Sequence, residues 1–419
     1  MKKCIFTTLI SIASLCSCNL VSTRNGQNTE SVNDSVTIET STRNNVIESN
    51  DSALEGLAKG VANYLGVTEP FREGLAVVMF YKEGSGITRY GYIDKTGKEV
   101  IPCIYNGANG FSEGLARINK NGKYGYIDKS GNEIVPAKYD FADIYFKGGM
   151  ADVRVGGNWG CIDKTGEEVI SCEYGGSGGI RDGLTSEGLA PIFIEGKYGF
   201  IDKSGIEIIP CQYYQAYNFS EGLAKVRKDG EYAYVDKTGN EVIACPYDDV
   251  YSFCEGLALV KNEGKFGFID KAGNLVIPCE YDEAKPFSEG LAAVKKDGKY
   301  GYINKKGNII IPIKHIEADS FDKGLAIVRK GMKYGVIDKT GKEIVHCRYD
   351  EVKSFHDGLA IVLIKGSGYG YVDKNGQEVI PCKYEQAQDF AEGLAFVRIG
   401  ELVGFVNKEG KRALWKRVE

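Results

Sequence analysis

Three histidines, twelve cysteines and a recurring glutamate are the side chains of this sequence with chemistry to offer. Each histidine replaces one letter of a recurring phrase: His315 stands where Tyr281 and Tyr384 stand, His346 where Pro312 and Pro381 stand, His356 where Ser288 stands. None has a Cys or carboxylate at ligand spacing that the phrase does not supply anyway, so neither a metal site nor imidazole catalysis is expected. Seven cysteines, Cys103, Cys172, Cys211, Cys245, Cys279, Cys347 and Cys382, share one place that Ala137 and Ile313 fill elsewhere. A place that accepts Cys, Ala or Ile is a small apolar core position rather than part of a disulfide framework. The Glu of Glu-Gly-Leu-Ala recurs at Glu73, Glu113, Glu187, Glu221, Glu255, Glu289 and Glu392. A glycosidase needs two carboxyls singled out by their surroundings, and a ladder of equivalent acids singles out none. A lysine fills one turn position in every unit, from Lys95 to Lys408, and reads as a solvated ridge near the acid ladder. No nucleophile elbow, phosphate-binding loop or paired-histidine helix is present. The expectation is a chain that is not an enzyme and holds no cofactor.

The elements that carry these residues are set by the phrase itself, GYIDKTGKEVIP from Gly91, which returns nine more times, ending with GFVNKEGKRALW from Gly404. Its Asp or Asn falls at 94, 128, 163, 202, 236, 270, 304, 338, 373 and 407, so the period is about 34 residues with one long step of 39. A phrase at fixed spacing specifies architecture. In the unit from Phe219 to Val250, three short alternating runs are separated by turns. Asp229-Gly230 is a two-residue hairpin signal, and Asp236-Lys237-Thr238-Gly239 places Asp and Gly where a type I turn followed by a left-handed residue needs them. Each unit reads as a three-stranded antiparallel meander. The enlarged turn before Tyr90 and the insertion GGSGGIRDGLTS between Tyr174 and Glu187 both fall in loops.

In the second strand, aromatic residues two apart share a face. The paired columns run from Tyr90/Tyr92 to Val403/Phe405, and seventeen of their twenty places are aromatic. Such a stripe either packs between units or lines a groove that stacks a ligand. On the groove reading the candidate binding residues are Tyr92, Tyr126, Trp159, Phe200, Tyr234, Tyr302 and Tyr371.

Trp159-Gly160 in NWGCIDKTGEEVI, with Tyr-Gly or Phe-Gly at most equivalent places, resembles the WG-repeat family of bacterial β-repeat proteins. The resemblance covers Phe71 to the C-terminus. It implies a β-repeat protein, often exported, and it brings no catalytic residues.

For the whole, the sequence reading is an all-β array over residues 71–419 in an open superhelical stack, with a closed β-propeller as the alternative. Ten units exceed the usual four to eight propeller blades, and no unit is split between the termini. A helix over 51–70, with Leu54, Leu57, Ala58, Val61 and Leu65 at helical spacing, is expected to cap the stack. The basic run Lys411 to Arg417 suits an exposed last edge. Residues 1–17 read as an export signal, and Leu15-Cys16-Ser17-Cys18 resembles a lipobox that would place lipid on Cys18. Residues 18–50 are polar and read as a flexible tether. A formal charge of −5 without clustered bases argues against nucleic acid. The expected role is a non-catalytic, lipid-anchored scaffold or binding surface of a bacterial cell envelope, with a protein or an envelope glycan as partner. An envelope polymer hydrolase and a purely structural spacer are the alternatives.

Overall fold

The computed structural model describes residues 66–417, apart from 83–85 and 177–178. The export signal, Cys18 and the tether lie outside the described residues. Ten small antiparallel sheets follow one another along the chain and are here called blades 1 to 10. They span residues 66–105, 107–139, 141–174, 190–213, 215–245, 249–281, 283–315, 317–349, 351–384 and 386–417. Nine blades have four strands and blade 4 has three. The strand that a three-stranded reading misses is short, as in Glu283–Ala284 and Gln386–Ala387, and lies inside the connection between units. Two residues are too few to display a strand's alternation.

Blade 7 shows why the phrase folds as it does. Its longer strands are Leu291–Lys296, Lys299–Asn304 and Ile309–His315. Asp297 and Gly298, at φ of 52° and 74°, make the hairpin turn between the first two. The Asn304 carboxamide oxygen accepts the Lys306 and Asn308 amides at 3.0 Å, closing the second turn. Beyond the second turn the last strand changes register: Tyr300 faces His315, whereas Tyr302 faces Ile311. The bulged residues cross Gly301 so closely that a Cβ there would lie 2.6 Å from the Ile311 carbonyl oxygen. Gly91, Gly125, Gly160, Gly199, Gly267, Gly335 and Gly370 meet the same approach. Blade 5 carries Ala233 instead, and there the pairing is regular from Tyr232 to Tyr234, with Ala233 directly opposite Ala244 and a shift only between Tyr234 and Val235. In eight blades the glycine of the phrase thus admits a bulged neighbour strand, whereas in blade 10 Gly404 lies directly opposite Trp415 without one.

Its aromatic partners join one blade to the next. Tyr302 is fully buried, its ring 4.8 Å from Phe321 of blade 8, and its hydroxyl donates to the Asp319 carbonyl at 2.7 Å. Tyr92, Tyr126, Tyr234 and Tyr371 donate in the same way to carbonyls of Asn109, Asp143, Tyr251 and Gln388. A buried ring with a satisfied hydroxyl gives each of these five junctions both apolar area and a fixed angle.

A second junction contact lies nearer solvent. Glu289 opens the Glu-Gly turn at a left-handed φ of 53°, a conformation that costs a side-chain-bearing residue about 1 kcal/mol. There its carboxylate accepts the Gly324 amide at 2.9 Å and pairs with Lys339 at 3.0 Å, both in blade 8. The acid ladder and the lysine ridge are thus two halves of one clasp. It recurs as Glu73–Lys129, Glu113–Lys164, Glu187–Lys237, Glu221–Lys271, Glu255–Lys305 and Asp357–Lys408.

The tenth blade makes the same contacts to the first, and this overturns the open superhelical stack: the sheets are arranged in a ring, a ten-blade β-propeller. Phe71 lies 4.9 Å from Phe405, and Val67, Ala76, Val78 and Ile93 share one core cluster with Phe396, Val403 and Phe405. Glu392 accepts the Gly74 amide at 3.1 Å and pairs with Lys95 at 2.8 Å. The absence of a split blade misleads because this ring closes through side-chain packing and side-chain hydrogen bonds rather than a shared strand. Strand Gly66–Arg72 completes blade 1 from its own end of the chain. Of the capping helix expected over 51–70, the part up to Leu65 lies outside the described residues, and Gly66 to Pro70 belong to that strand. Strand Arg412–Arg417 is the fourth strand of blade 10.

Candidate functional site

Departures from the repeat gather on one arc of the ring. In the first long strand of each blade, the residue after Ala faces the following blade. It is apolar in blade 1 and in blades 6 to 10, but charged in blades 2, 3 and 5, as Arg117, Asp152 and Lys225, and a proline, Pro191, in blade 4. Arg117 donates to the Ala142 carbonyl at 2.6 Å and to Asn109 at 2.9 Å. Lys225, only 8% exposed, donates to the Val250 carbonyl at 2.8 Å and sits 4.0 Å from the centre of the Tyr217 ring. Burial pushes its ammonium below the usual lysine range.

Asp152 does something different: it holds the insertion between blades 3 and 4. The sequence reading leaves GGSGGIRDGLTS as a swollen loop, yet Ile180–Ser186 is a short helix, α1. Ile180 and Leu184, four apart, pack with Trp159, Cys161, Ile170 and Ile192. The Asp152 carboxylate accepts the Gly179 and Arg181 amides at 2.8 and 2.7 Å, capping α1 from another strand. Arg181 reaches Asp143 at 2.7 Å and the Tyr145 carbonyl at 2.8 Å, and Lys147 pairs with Asp182 at 3.1 Å. Burial, reinforced by the neighbouring Asp143 charge, pushes the Asp152 carboxyl up to about 7. With each oxygen accepting a backbone amide and the side chain buried, Asp152 is a structural fastening for α1.

Between α1 and blades 3 to 5 lies a cavity of about 330 Å³. Its walls include Trp159 and Tyr174 of blade 3, Pro191, Phe193 and Tyr198 of blade 4, Gly179 and Ile180 of the insertion, and Gln215, Tyr217 and Asn218 of blade 5. The Trp159 indole N–H donates to the Gly176 carbonyl at 3.0 Å, which fixes the ring in place. The side-chain oxygens of Gln215 and Asn218 are buried and have no hydrogen-bond partner. Among the described residues no Asp, Glu, Lys, Arg, His or Cys lines the space.

Of the seven aromatic residues expected to bind, the structure brings one to this cavity, Trp159. Tyr92, Tyr126, Phe200, Tyr234, Tyr302 and Tyr371 are at most 1% exposed and packed between blades. Gln215, Tyr217 and Asn218 escaped the sequence reading. They lie in the connection Tyr213-Tyr214-Gln215-Ala216-Tyr217-Asn218, uncharged where Tyr281-Asp282-Glu283-Ala284-Lys285 is charged, a weak signal because Tyr105-Asn106-Gly107-Ala108-Asn109 is uncharged too. The cysteine column is half-buried, with Cys245 fully buried, and burial raises these thiols, Cys103 to about 12. Among the described residues no group of His, Cys, Asp and Glu could hold a metal ion.

The family model for the WG containing repeat matches nine successive segments, from residues 90–124 and 124–159 through to 334–366 and 369–402. The chain belongs to the WG-repeat family. All nine matched WG repeats begin at a first-column aromatic and the first seven end at the next one, while the last two end at Gly366 and Leu402, so each spans the second half of one blade and the first half of the following one. The WG repeat is in this sense a junction rather than a blade. No curated protein matches the chain. Among solved structures it is similar to a eukaryotic initiation factor, at 10% identity and a TM-score of 0.46 over 83% of this chain and 96% of that one. It is also similar to the dihydro-haem d1 dehydrogenase NirN, at 14% and 0.35 over 89% and 80%. A third is Hsv2p of Kluyveromyces lactis, at 10% and 0.28 over 73% and 93%.

Proposed function

We propose that this WG-repeat ring is a non-catalytic binding protein whose ligand seats in the cavity between blades 3, 4 and 5, presented at a bacterial cell envelope by lipid on Cys18. One observation carries the reading: the insertion residues Gly179 and Ile180, Pro191 and the uncharged Gln215, Tyr217 and Asn218 line one cavity, and among the described residues that lining has no acid, base or thiol to do chemistry. The charged cluster beside it is spent on fastening α1. Capture from envelope extracts with the full chain and with Asn218→Arg tests it, melting curves serving as the check on folding. A partner retained by the native chain and lost by the variant supports the cavity. Equal capture by both, or none by either, would sink it. Anchoring is tested separately by Cys18→Ala, which should release the protein from the membrane fraction.

A second reading, a purely structural ring, is favoured by the sameness of the clasped junctions and by the sealed aromatic columns. It predicts no capture at all.

A further inference from the structure

We infer that the junction between blades 8 and 9 binds a carboxylate from outside the ring. That group takes the place a glutamate fills at other junctions and is held by the Gly358 amide, Lys374 and Lys323. The site is separate from the cavity between blades 3 and 5 and does not depend on it.

The neighbouring junctions show what this geometry holds. Between blades 7 and 8, the Glu289 carboxylate accepts the Gly324 amide and pairs with Lys339. Burial works against its charge, yet Lys339 and that amide hold its carboxyl below the usual range. The same two donors, a turn glycine amide and a lysine, meet an acid at Gly256 with Lys271 and at Gly393 with Lys408. At Gly74 the planar group is received side-on, both Glu392 oxygens lying 3.1–3.2 Å from the amide with Lys95 on one of them. Where blade 3 offers Gly148 instead of an acid, the Gly188 amide of blade 4 is taken by the Gly183 carbonyl at 3.2 Å.

Blade 9 has both donors and neither is engaged: among the described residues the Gly358 amide has no acceptor and Lys374 no acid. The residue in the acid's position is Lys323, at the same left-handed φ of 53°, and no clasp offsets that strain. Its ammonium lies 4.0 Å from Asp322, whose side chain is 64% exposed. The acid next to Gly358, Asp357, is turned to Lys408 at 2.8 Å. By equivalence with the filled clasps, two cationic side chains and an N–H are therefore directed at one place. A carboxylate there makes charge-assisted hydrogen bonds and separates like charges. It can be a free small acid or the acidic side chain of another polypeptide.

The test is acetylation of the full chain in detergent, read lysine by lysine by mass spectrometry. Labelling is compared in chloride and in propionate at equal ionic strength, with a blocked Gly-Glu-Gly peptide and inorganic phosphate as further probes. In chloride, Lys374 should label up to roughly fivefold faster than its clasped equivalent Lys339. Propionate or the peptide should slow Lys374 towards the Lys339 rate and leave Lys339 unchanged. In Lys323→Glu, whose new acid fills the place, Lys374 should label slowly from the start and gain no further protection. Stronger protection by the peptide than by propionate assigns the carboxylate to an acidic side chain, and equal protection assigns it to a free small acid; either supports the site. The inference is overturned if neither carboxylate protects Lys374 beyond chloride, if Lys323→Glu is protected as the native chain is, or if phosphate protects better than both.

Discussion

Lys95 and Glu392 are 297 residues apart in the chain and meet at 2.8 Å. Their geometry repeats that of Lys339 and Glu289, a pair at an interior junction. Burial works against the Glu392 charge, yet Lys95 and the Gly74 amide hold its carboxyl below the usual range.

This equivalence makes closure measurable. Glu392→Gln and Glu289→Gln should lower stability by similar amounts, each up to about 1 kcal/mol, as expected for partly exposed pairs. Denaturant midpoints provide the comparison. If Glu392→Gln is silent while Glu289→Gln destabilises, the ends of the ring are not joined in solution.

One junction lacks the clasp because of charge. The partner of Lys374 would be residue 323, and that residue is Lys323, which occupies the usual left-handed turn position at a φ of 53°. Lys323→Glu should therefore raise stability, by up to about 1 kcal/mol, and the gain should shrink in high salt. A loss in its place would show that Lys323 has another job.

The glycine of the phrase can be tested against its own exception. Gly301→Ala must push a methyl into the Ile311 carbonyl and should cost about 1–3 kcal/mol, as overpacking does. Ala233→Gly sits beside a regular strand pair and should cost at most about 1 kcal/mol. Thermal melting of the two variants side by side checks the order, and an equal effect would remove the bulge as the reason for glycine.

Asp152 gives the ring a pH signature. A carboxyl held near 7 when folded and near 3.8 when unfolded stabilises only in its protonated form. Its contribution is complete below the unfolded value and is lost as pH rises through about 7. Between about pH 5 and 8 the native melting temperature should fall relative to that of Asp152→Asn, which cannot ionise. Parallel pH profiles for the two proteins would show that Asp152 does not titrate there.

The units, their turns and the small apolar cysteine column were legible because each is local: a period, a dipeptide, a tolerated size. Closure was not. It depends on the angle between successive blades, which is set by Tyr302 leaning on Phe321 and Glu289 reaching Gly324, and no local pattern encodes an angle. The acid and lysine columns were both visible, but their pairing needed contacts about fifty residues apart, as between Lys339 and the Glu289 carbonyl. Helix α1 was hidden by its length. Ile180 and Leu184 give one helical repeat, too little to stand out from loop. The cavity was read past because its residues differ from the repeat by lacking charge, and an absence is harder to see than a motif.

A ring whose last joint is a copy of its inner joints carries a hazard that a strand-sharing ring avoids. Undone at any one seam, the chain becomes an arc with two unlike, mutually complementary ends, and the exposed face of blade 10 fits blade 1 of another molecule as well as its own. Contacts of that head-to-tail kind extend into filaments unless they close. What favours the solitary ring is that both ends belong to one tethered molecule and find each other at high effective concentration. Folding is therefore a contest between a chain catching its own tail and catching a neighbour's, and crowding during synthesis sets the odds.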